Sequence, residues 1–386
     1  MRRLIARSLL LASAFLPAAV QAGGPVSEYR VTHLESLGGT VSRGNSINNR
    51  GWVTGYSNLE GNQKRHATLW LDGSPFDLGT LGGPNSSVAW PVKNNRGLIV
   101  GISQTVTPEP LGETWSCAIF FGTPTATGYT CLGFVWEKGV MKALPTLGGN
   151  NGYAAAANNR GQVVGWAENT VHDPTCVPPQ VLQFRAVLWE PHKNKTQELP
   201  PLPGDTSGAA TAINDKGQVV GISGTCDQAV GRLTAKHAVL WEKGRVIDLG
   251  NLGEFHWNTP TAINHHGDVA GFASLPSDPD NAVLRAFLWT RRGGIQNLGT
   301  LPGDVSSQAS GINDRGQVVG VSCDAANVCR AFLWEDGVMK DLNTLTAPGY
   351  TGHLFSAQDI NDRGEITGRA IDGETGERVA FLARPR

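Results

Sequence analysis

Short β-branched and aromatic runs alternate with Gly, Asn and Asp turn signals along almost the whole chain, and few segments carry a helical period. Residues 308–342 show the unit. Residues 308–313 read as a strand, Asn313-Asp314-Arg315-Gly316 as a tight turn, and 317–322 as a second strand. A third strand is expected at 330–334 and, after Glu335-Asp336-Gly337, a fourth at 338–342. Asn at the first and Gly at the fourth turn position suit a type I hairpin turn in which glycine takes a positive φ. The strands are apolar on both faces, as in Val318-Val319-Gly320-Val321 and Ala331-Phe332-Leu333-Trp334. A sheet with one wet face would alternate, so this pattern fits sheets sandwiched between neighbouring sheets.

The unit recurs. The string Asn, two residues, Gly, three residues, Gly begins at Asn48, Asn94, Asn158, Asn214, Asn264, Asn313 and Asn361. A tryptophan closes the third strand at Trp70, Trp136, Trp189, Trp241, Trp289 and Trp334, and the seventh copy has Ala383 there. These tryptophans are expected to pack between sheets. The first three strands (a, b, c) occur in every copy. The fourth (d) follows only six, and the chain ends soon after 379–383. An orphan d-like strand at 29–34 precedes the first copy. The expected fold is therefore all-β: a seven-bladed β-propeller of four-stranded blades, closed by the N-terminal strand pairing in the last blade. Such closure removes open sheet edges.

The segments His66-Ala67-Thr68-Leu69-Trp70, His237-Ala238-Val239-Leu240-Trp241 and Arg285-Ala286-Phe287-Leu288-Trp289 are joined to Leu-Gly-Thr-Leu-Gly-Gly and Ile-Asn-Asp-Arg-Gly-Gln-Val-Val-Gly strings. Together they resemble the bacterial extracellular HAF (His-Ala-Phe) repeat family over nearly the whole chain after the leader. The literal triplet does not occur, and Arg, Leu, Cys or Val often stands for the His. The resemblance implies secretion and repeat structure and no catalytic activity. The Gly-His and Trp-Asp signals of WD40 repeats are absent.

Arg2, Arg3 and Arg7, an apolar run over 9–20 and Val20-Gln21-Ala22 read as a signal peptide over 1–22, leaving one domain over 23–386. No apolar run approaches the ~20 residues of a spanning helix. Loss of the leader takes Lys+Arg from 32 to 29 against 33 Asp+Glu, a net charge of −4. With no long basic run, nucleic acid is discounted as a partner. The protein is expected to be an exported monomer, periplasmic or extracellular.

The a–b and c–d turns are short and uniform, whereas the b–c connections vary, the longest at 103–132, 167–183 and 223–236. Variable loops on a fixed scaffold are where binding resides. All six cysteines lie on that side, and the expected pairs are Cys117–Cys131, Cys176–Cys226 and Cys323–Cys329. Aromatics that depart from the repeat, Trp90, Tyr153, Trp257 and Phe355, are the candidate ligand contacts, with Phe255, His256 and Trp115 nearby. Lys93 takes a slot that is Ile in five copies, His265-His266 reads as exposed turn, and Asp278 with Asp280 suggests at most weak calcium binding. No nucleophile–base pattern, phosphate-cradling loop, metal-ligand spacing or cofactor motif stands out, so no catalytic residue, metal or cofactor is assigned. The expected function is binding of a glycan or protein through the b–c face. The alternative is a secreted polysaccharide-acting hydrolase or lyase with its site at the same mouth.

Overall fold

The strands fall in the expected order. In the computed structural model, β1 (Tyr29–His33) precedes four strands of one unit, β2–β5 (Gly38–Ile47, Val53–Leu59, Arg65–Leu71, Ser74–Asp77). Five four-stranded units follow. They are β6–β9 (Gly82–Ser87, Ile99–Pro108, Tyr129–Glu137, Val140–Ala143) and β10–β13 (Gly148–Ala157, Val163–His172, Leu182–Glu190, Lys195–Leu199). Next come β14–β17 (Ser207–Ile213, Val219–Gly224, His237–Glu242, Arg245–Asp248) and β18–β21 (Asn258–Ile263, Val269–Ser274, Leu284–Thr290, Gly294–Asn297). The fifth is β22–β25 (Ser306–Ile312, Val318–Cys323, Cys329–Glu335, Val338–Asp341). The chain ends on β26–β28 (His353–Ile360, Ile366–Ile371, Arg378–Pro385). One short helix, α1 (Trp115–Phe121), interrupts the connection between β7 and β8.

The structure describes residues 28–113, 115–227, 231–253, 257–276 and 283–386, without the side chains of Trp115 and Ser116. The expected signal peptide, Phe255, His256, Asp278 and Asp280 lie outside the described residues. No helix among the described residues is long and apolar enough to cross a membrane.

Each unit is an antiparallel sheet in simple up-and-down order. The N-terminal β1 pairs antiparallel with β28, Tyr29 opposite Pro385 and His33 opposite Phe381. It thus supplies the fourth strand that β26–β28 lack. A single parallel bridge, Val41 to Arg378, links that unit to β2. Successive sheets pack face to face as in a β-propeller. One apolar cluster joins Ala262, Ala270 and Ala286 of one sheet to Ile312, Val318 and Phe332 of the next. Another joins Ile47, Val53 and Trp70 to Ala380 and Leu382 across the two ends of the chain. This is why strands read as apolar on both faces. Of the third-strand tryptophans, Trp70, Trp189, Trp241, Trp289 and Trp334 are buried among these sheets as expected and Trp136 is half-buried. Trp70, Trp189 and Trp241 donate their indole N–H to the carbonyls of Glu35, Pro145 and Pro200 in the preceding connectors.

The Asn-x-x-Gly-x-x-x-Gly string has three separable jobs. Its first glycine sits at positive φ, between 76° and 93° in the seven copies, which closes the hairpin. Its second glycine faces the first strand: a Cβ there would stand only 1.9–2.3 Å from a carbonyl oxygen of that strand. A register shift in the first strand, as between Ala210 and Ala212, brings the carbonyl in. The asparagine does more than turn chemistry requires. Its Oδ1 accepts from the turn, as Asn214 does from Lys216 and Gln218 N–H at 3.0 and 3.1 Å. Its Nδ2 leaves the unit altogether. Asn48 donates to the Asn94 carbonyl, Asn94 to Asn158, Asn158 to Asn214, Asn214 to Asn264, Asn264 to Asn313, Asn313 to Asn361 and Asn361 back to Asn48, all at 2.7–3.2 Å. These buried residues form a closed hydrogen-bonded ring around one end of the central axis.

All six cysteines are bridged in the expected pairs, Cys117–Cys131, Cys176–Cys226 and Cys323–Cys329. The Cys176–Cys226 bridge joins the b–c connections of two adjacent sheets. The His of the His-Ala strings ties strand c to strand d at the periphery. His66 pairs with Asp77 at 2.8 Å and His237 with Asp248 at 3.2 Å.

Candidate binding site at the b–c mouth

The two ends of the axis differ. At the a–b end the asparagine ring leaves a cavity of only about 40 Å³. Lys93 lines it, and it is not a lone cation: its Nζ meets the fully buried Asp359 carboxylate at 2.6 Å and the Ile360 carbonyl at 2.6 Å. His265, expected as plain exposed turn, is held between Asp215 at 2.8 Å and Asp314 at 3.1 Å. Burial alone would lower its pKa, but those two carboxylates raise it. The a–b end is thus a self-satisfied plug.

At the b–c end a cavity of about 350 Å³ opens. Its charged lining is three arginines, Arg43, Arg65 and Arg369, gathered on Tyr56, with no Asp or Glu among the described lining residues. Strand register sets this up. Arg43 on β2 lies opposite Tyr56 on β3, and Arg369 on β27 reaches across from the neighbouring sheet, its Nη2 donating to the Tyr56 hydroxyl at 3.2 Å. Arg65 lies over the Tyr56 ring, 3.8 Å from its centroid. Burial, then the charge of Arg369, brings the Arg43 guanidinium down to about 10. Burial would raise the Tyr56 phenol, but Arg369, Arg43 and Arg65 together pull it below the usual tyrosine range.

The arginines and Tyr56 were not singled out from sequence, although a signal was there. Arg43 stands five residues before its motif asparagine, where the other copies have Ala89, Tyr153, Ala209, Thr259, Gln308 and Ser356. Arg369 follows its second motif glycine, where the others have Tyr56, Ile102, Trp166, Ile222, Phe272 and Val321. Comparing copies for departures in charge, rather than in aromaticity alone, marks both.

The four candidate aromatics do not converge as a rim. Trp90 is half-buried and lines the cavity. It sits where β6 has already ended at Ser87, beside Pro91, which has no N–H for the ladder. Phe355 is half-buried, 5.9 Å beneath the Arg369 guanidinium. Trp257 packs edge-on against Phe272, which itself lines the cavity. Tyr153 is a correction: it is 2 % exposed, covered by Phe120 of α1 in a stack with centroids 4.8 Å apart. The helix that the 103–132 connection folds into has taken the place expected for a ligand. That connection is clamped by the Cys117–Cys131 bridge and by Arg65, whose Nη1 donates to the Phe120 carbonyl at 3.2 Å.

Behind the loops lies a sealed carboxylate pair. Glu113 and Glu168 are both 0 % exposed. The Gln180 amide bridges them, 3.1 Å from Glu113 Oε1 and 3.0 Å from Glu168 Oε1. Glu113 also accepts the backbone N–H of Val181 and Leu182, and Glu168 those of Asn150 and Asn151. The pair pins one b–c connection to the next. Burial first, and then the Glu113 charge, pushes Glu168 up to about 7. A raised carboxyl pKa contributes stability that is fully present below the unfolded-state value, near 4.5, and is lost as pH rises through about 7. Urea unfolding at pH 5 and pH 8 should therefore show a loss of roughly 2 kcal/mol across the interval. Glu168→Gln should flatten that slope, and an unaltered slope would place the titration elsewhere.

No family model matches the sequence, and no curated protein matches it. Among solved structures, the β-propeller domain of the Trilobed protease from Pyrococcus furiosus is similar over 77 % of this chain and 79 % of its own, with 14 % identity and a TM-score of 0.46. An oligogalacturonate lyase in complex with manganese is similar over 94 % of each chain, with 10 % identity and a TM-score of 0.49. TolB from Acinetobacter baumannii is similar over 86 % of this chain and 65 % of its own, with 10 % identity and a TM-score of 0.44. These likenesses are of overall shape and do not bear on function.

Proposed function

We propose that this chain is an exported seven-bladed β-propeller of the HAF-repeat kind that binds a glycan or protein at its b–c mouth without transforming it. The observation that carries the reading is the contrast between the two ends of the axis. One is filled by a ring of satisfied asparagines, and the other holds an open cavity lined by arginine, amide and aromatic side chains. The closed asparagine ring and the pairing of β1 with β28 support the blade count and the closure. The three disulfides support export to an oxidising compartment.

The test is a binding screen of the purified full chain against glycan and exported-protein arrays. Trp90→Ala should weaken any ligand found by roughly tenfold or more, as loss of an aromatic contact does, and leave the melting temperature within a few degrees. A ligand indifferent to Trp90→Ala but lost on substitution of His265 or Asp215 would move the site to the a–b face and end this reading.

The second reading, a polysaccharide-acting enzyme, is favoured by one observation. Tyr56 stands at the mouth with its hydroxyl against Arg369, and three arginines pull its phenol below the usual tyrosine range. Hydrolysis is the weaker form of it, because the converging carboxylates Glu113 and Glu168 are sealed away from the cavity. New unsaturated or reducing ends released from a bound polysaccharide, and lost in Tyr56→Phe, would establish it.

A further inference from the structure

We propose that Arg43 and Arg369 form a carboxylate subsite, and that the ligand of the b–c mouth is an acidic oligosaccharide of the uronic-acid type; this rests on the reading that the mouth binds a ligand.

The first argument is charge balance. Arg65 has Nε and Nη1 committed, to Asn58 Oδ1 at 3.0 Å and to the Phe120 carbonyl at 3.2 Å, whereas Arg369 has only the neutral Tyr56 hydroxyl, 3.2 Å from Nη2. The Nε atoms of Arg43 and Arg369 are buried without an acceptor, and no carboxylate among the described lining residues faces them. Burying cations unpaired is costly, and each cation makes its neighbour worse. The second argument comes from the repeat. Six other copies of the same scaffold fold with neutral residues in the Arg43 slot, and six with uncharged residues in the Arg369 slot. The scaffold does not need these arginines, and an anion arriving in the cavity would relieve the repulsion that they create.

The geometry selects the anion and its carrier. A planar guanidinium offers a pair of parallel N–H donors, which matches a carboxylate. Around the cations the cavity presents the amides of Asn45, Gln308 and Gln358, suited to hydroxyl groups, and the aromatic faces of Trp90 and Phe120. A volume of about 350 Å³ lies at the small end of ligand pockets. A ring that carries a carboxylate, several hydroxyls and an apolar face is a uronic acid. A folded protein surface reaches so narrow an axial cavity only through a single side chain, which would leave the amides and aromatics unused.

The experiment is calorimetric titration of the full chain with four probes: a galacturonic acid oligomer, the same oligomer with its carboxyls reduced to alcohols, a sulfated neutral oligosaccharide of similar length, and an oligoglutamate peptide. The uronate should bind at least tenfold tighter than each of the other three. Arg43→Gln and Arg369→Gln should each weaken it tenfold to a hundredfold and melt no lower than the parent, since each removes like-charge repulsion. Arg369→Lys keeps the charge without the planar fork and should recover only part of the affinity. Equal binding of the carboxyl-reduced oligomer, or indifference to both glutamine variants, overturns the subsite. The mouth reading then survives if Trp90→Ala still weakens the bound glycan, and falls if it does not. Tighter binding of the sulfated probe overturns the carboxylate assignment, and tighter binding of oligoglutamate overturns the glycan. Failure of all four probes to bind overturns the subsite, and the array screen then judges the mouth by itself.

Discussion

Replacing Cys176 and Cys226 by serine should lower the unfolding free energy by about 4 kcal/mol, against about 3 kcal/mol for the Cys117–Cys131 pair and about 2 kcal/mol for Cys323–Cys329. The order follows the loops that the bridges close, 50, 14 and 6 residues apart in sequence. A covalent link restricts the unfolded chain more when the loop is longer. The 50-residue loop also contains the whole of one sheet's inner hairpin, so it is the bridge that staples one unit to the next. A backbone bond from Val177 N–H to the Cys226 carbonyl, 3.0 Å, holds the same two connections together and should keep the serine variant folded in the native arrangement. Urea unfolding followed by tryptophan fluorescence measures the series. If the Cys323–Cys329 pair proved the costliest, the restriction of the unfolded chain would not be what governs these bridges.

Asn214→Ala should cost roughly 3 kcal/mol, and Asn214→Asp nearly as much. The alanine removes four hydrogen bonds: Oδ1 accepts from the Lys216 and Gln218 N–H groups, and Nδ2 donates to Gln218 Oε1 and to the Asn264 carbonyl at 2.7 and 2.9 Å. The aspartate is the more instructive change. It keeps an oxygen for the turn, so an asparagine that served only its own hairpin would tolerate it well. In the ring, a carboxylate would meet the Asn264 carbonyl and the Gln218 amide oxygen in place of a donor. The residue is 4 % exposed, so water does not soften that clash. An aspartate variant as stable as the parent would reduce the asparagine to turn chemistry and deny the ring an energetic role.

Legibility from sequence tracked the range of the interaction. Strand positions, hairpin turns and the positive φ of the turn glycine rest on residues close together in the chain, and local pattern carried them, whereas the second motif glycine's close approach to the first strand emerged only from the structure. The bridges Cys117–Cys131 and Cys323–Cys329 were legible for the same reason. Cys176–Cys226 was legible because adjacent copies must lie side by side. The partnership of β1 with β28 was legible from an imbalance, a fourth strand missing at one end and a spare one at the other.

The mouth was less legible. Trp90 stood out because it breaks a small-residue slot, and it does line the cavity. Tyr153 stood out equally, yet Phe120 covers it, because the 103–132 connection folds back as α1, a placement that no local pattern encodes. Arg43 and Arg369 lie at opposite ends of the chain, in a molecule whose acidic residues outnumber its basic ones. Net charge says nothing about a cluster of three like charges when the balancing carboxylates are spent at the periphery, as Asp77 and Asp248 are on His66 and His237.

By itself, then, the sequence determined that the chain is a train of four-stranded sheets with a uniform a–b side, a variable b–c side and three disulfide staples. Those features follow from side-chain alternation, turn stereochemistry and the reach of neighbouring units, all of which act within or between adjacent copies. Only the tertiary structure decided that each motif asparagine reaches past its own turn into the next sheet, that Lys93 is spent on Asp359, and that Arg43, Arg65 and Arg369 crowd one tyrosine at the open end. Those contacts arise because the sheets turn about a common axis and bring the same slot of every copy to one place. The described residues that line the open end come from five of the seven copies, and no single copy carries the whole lining.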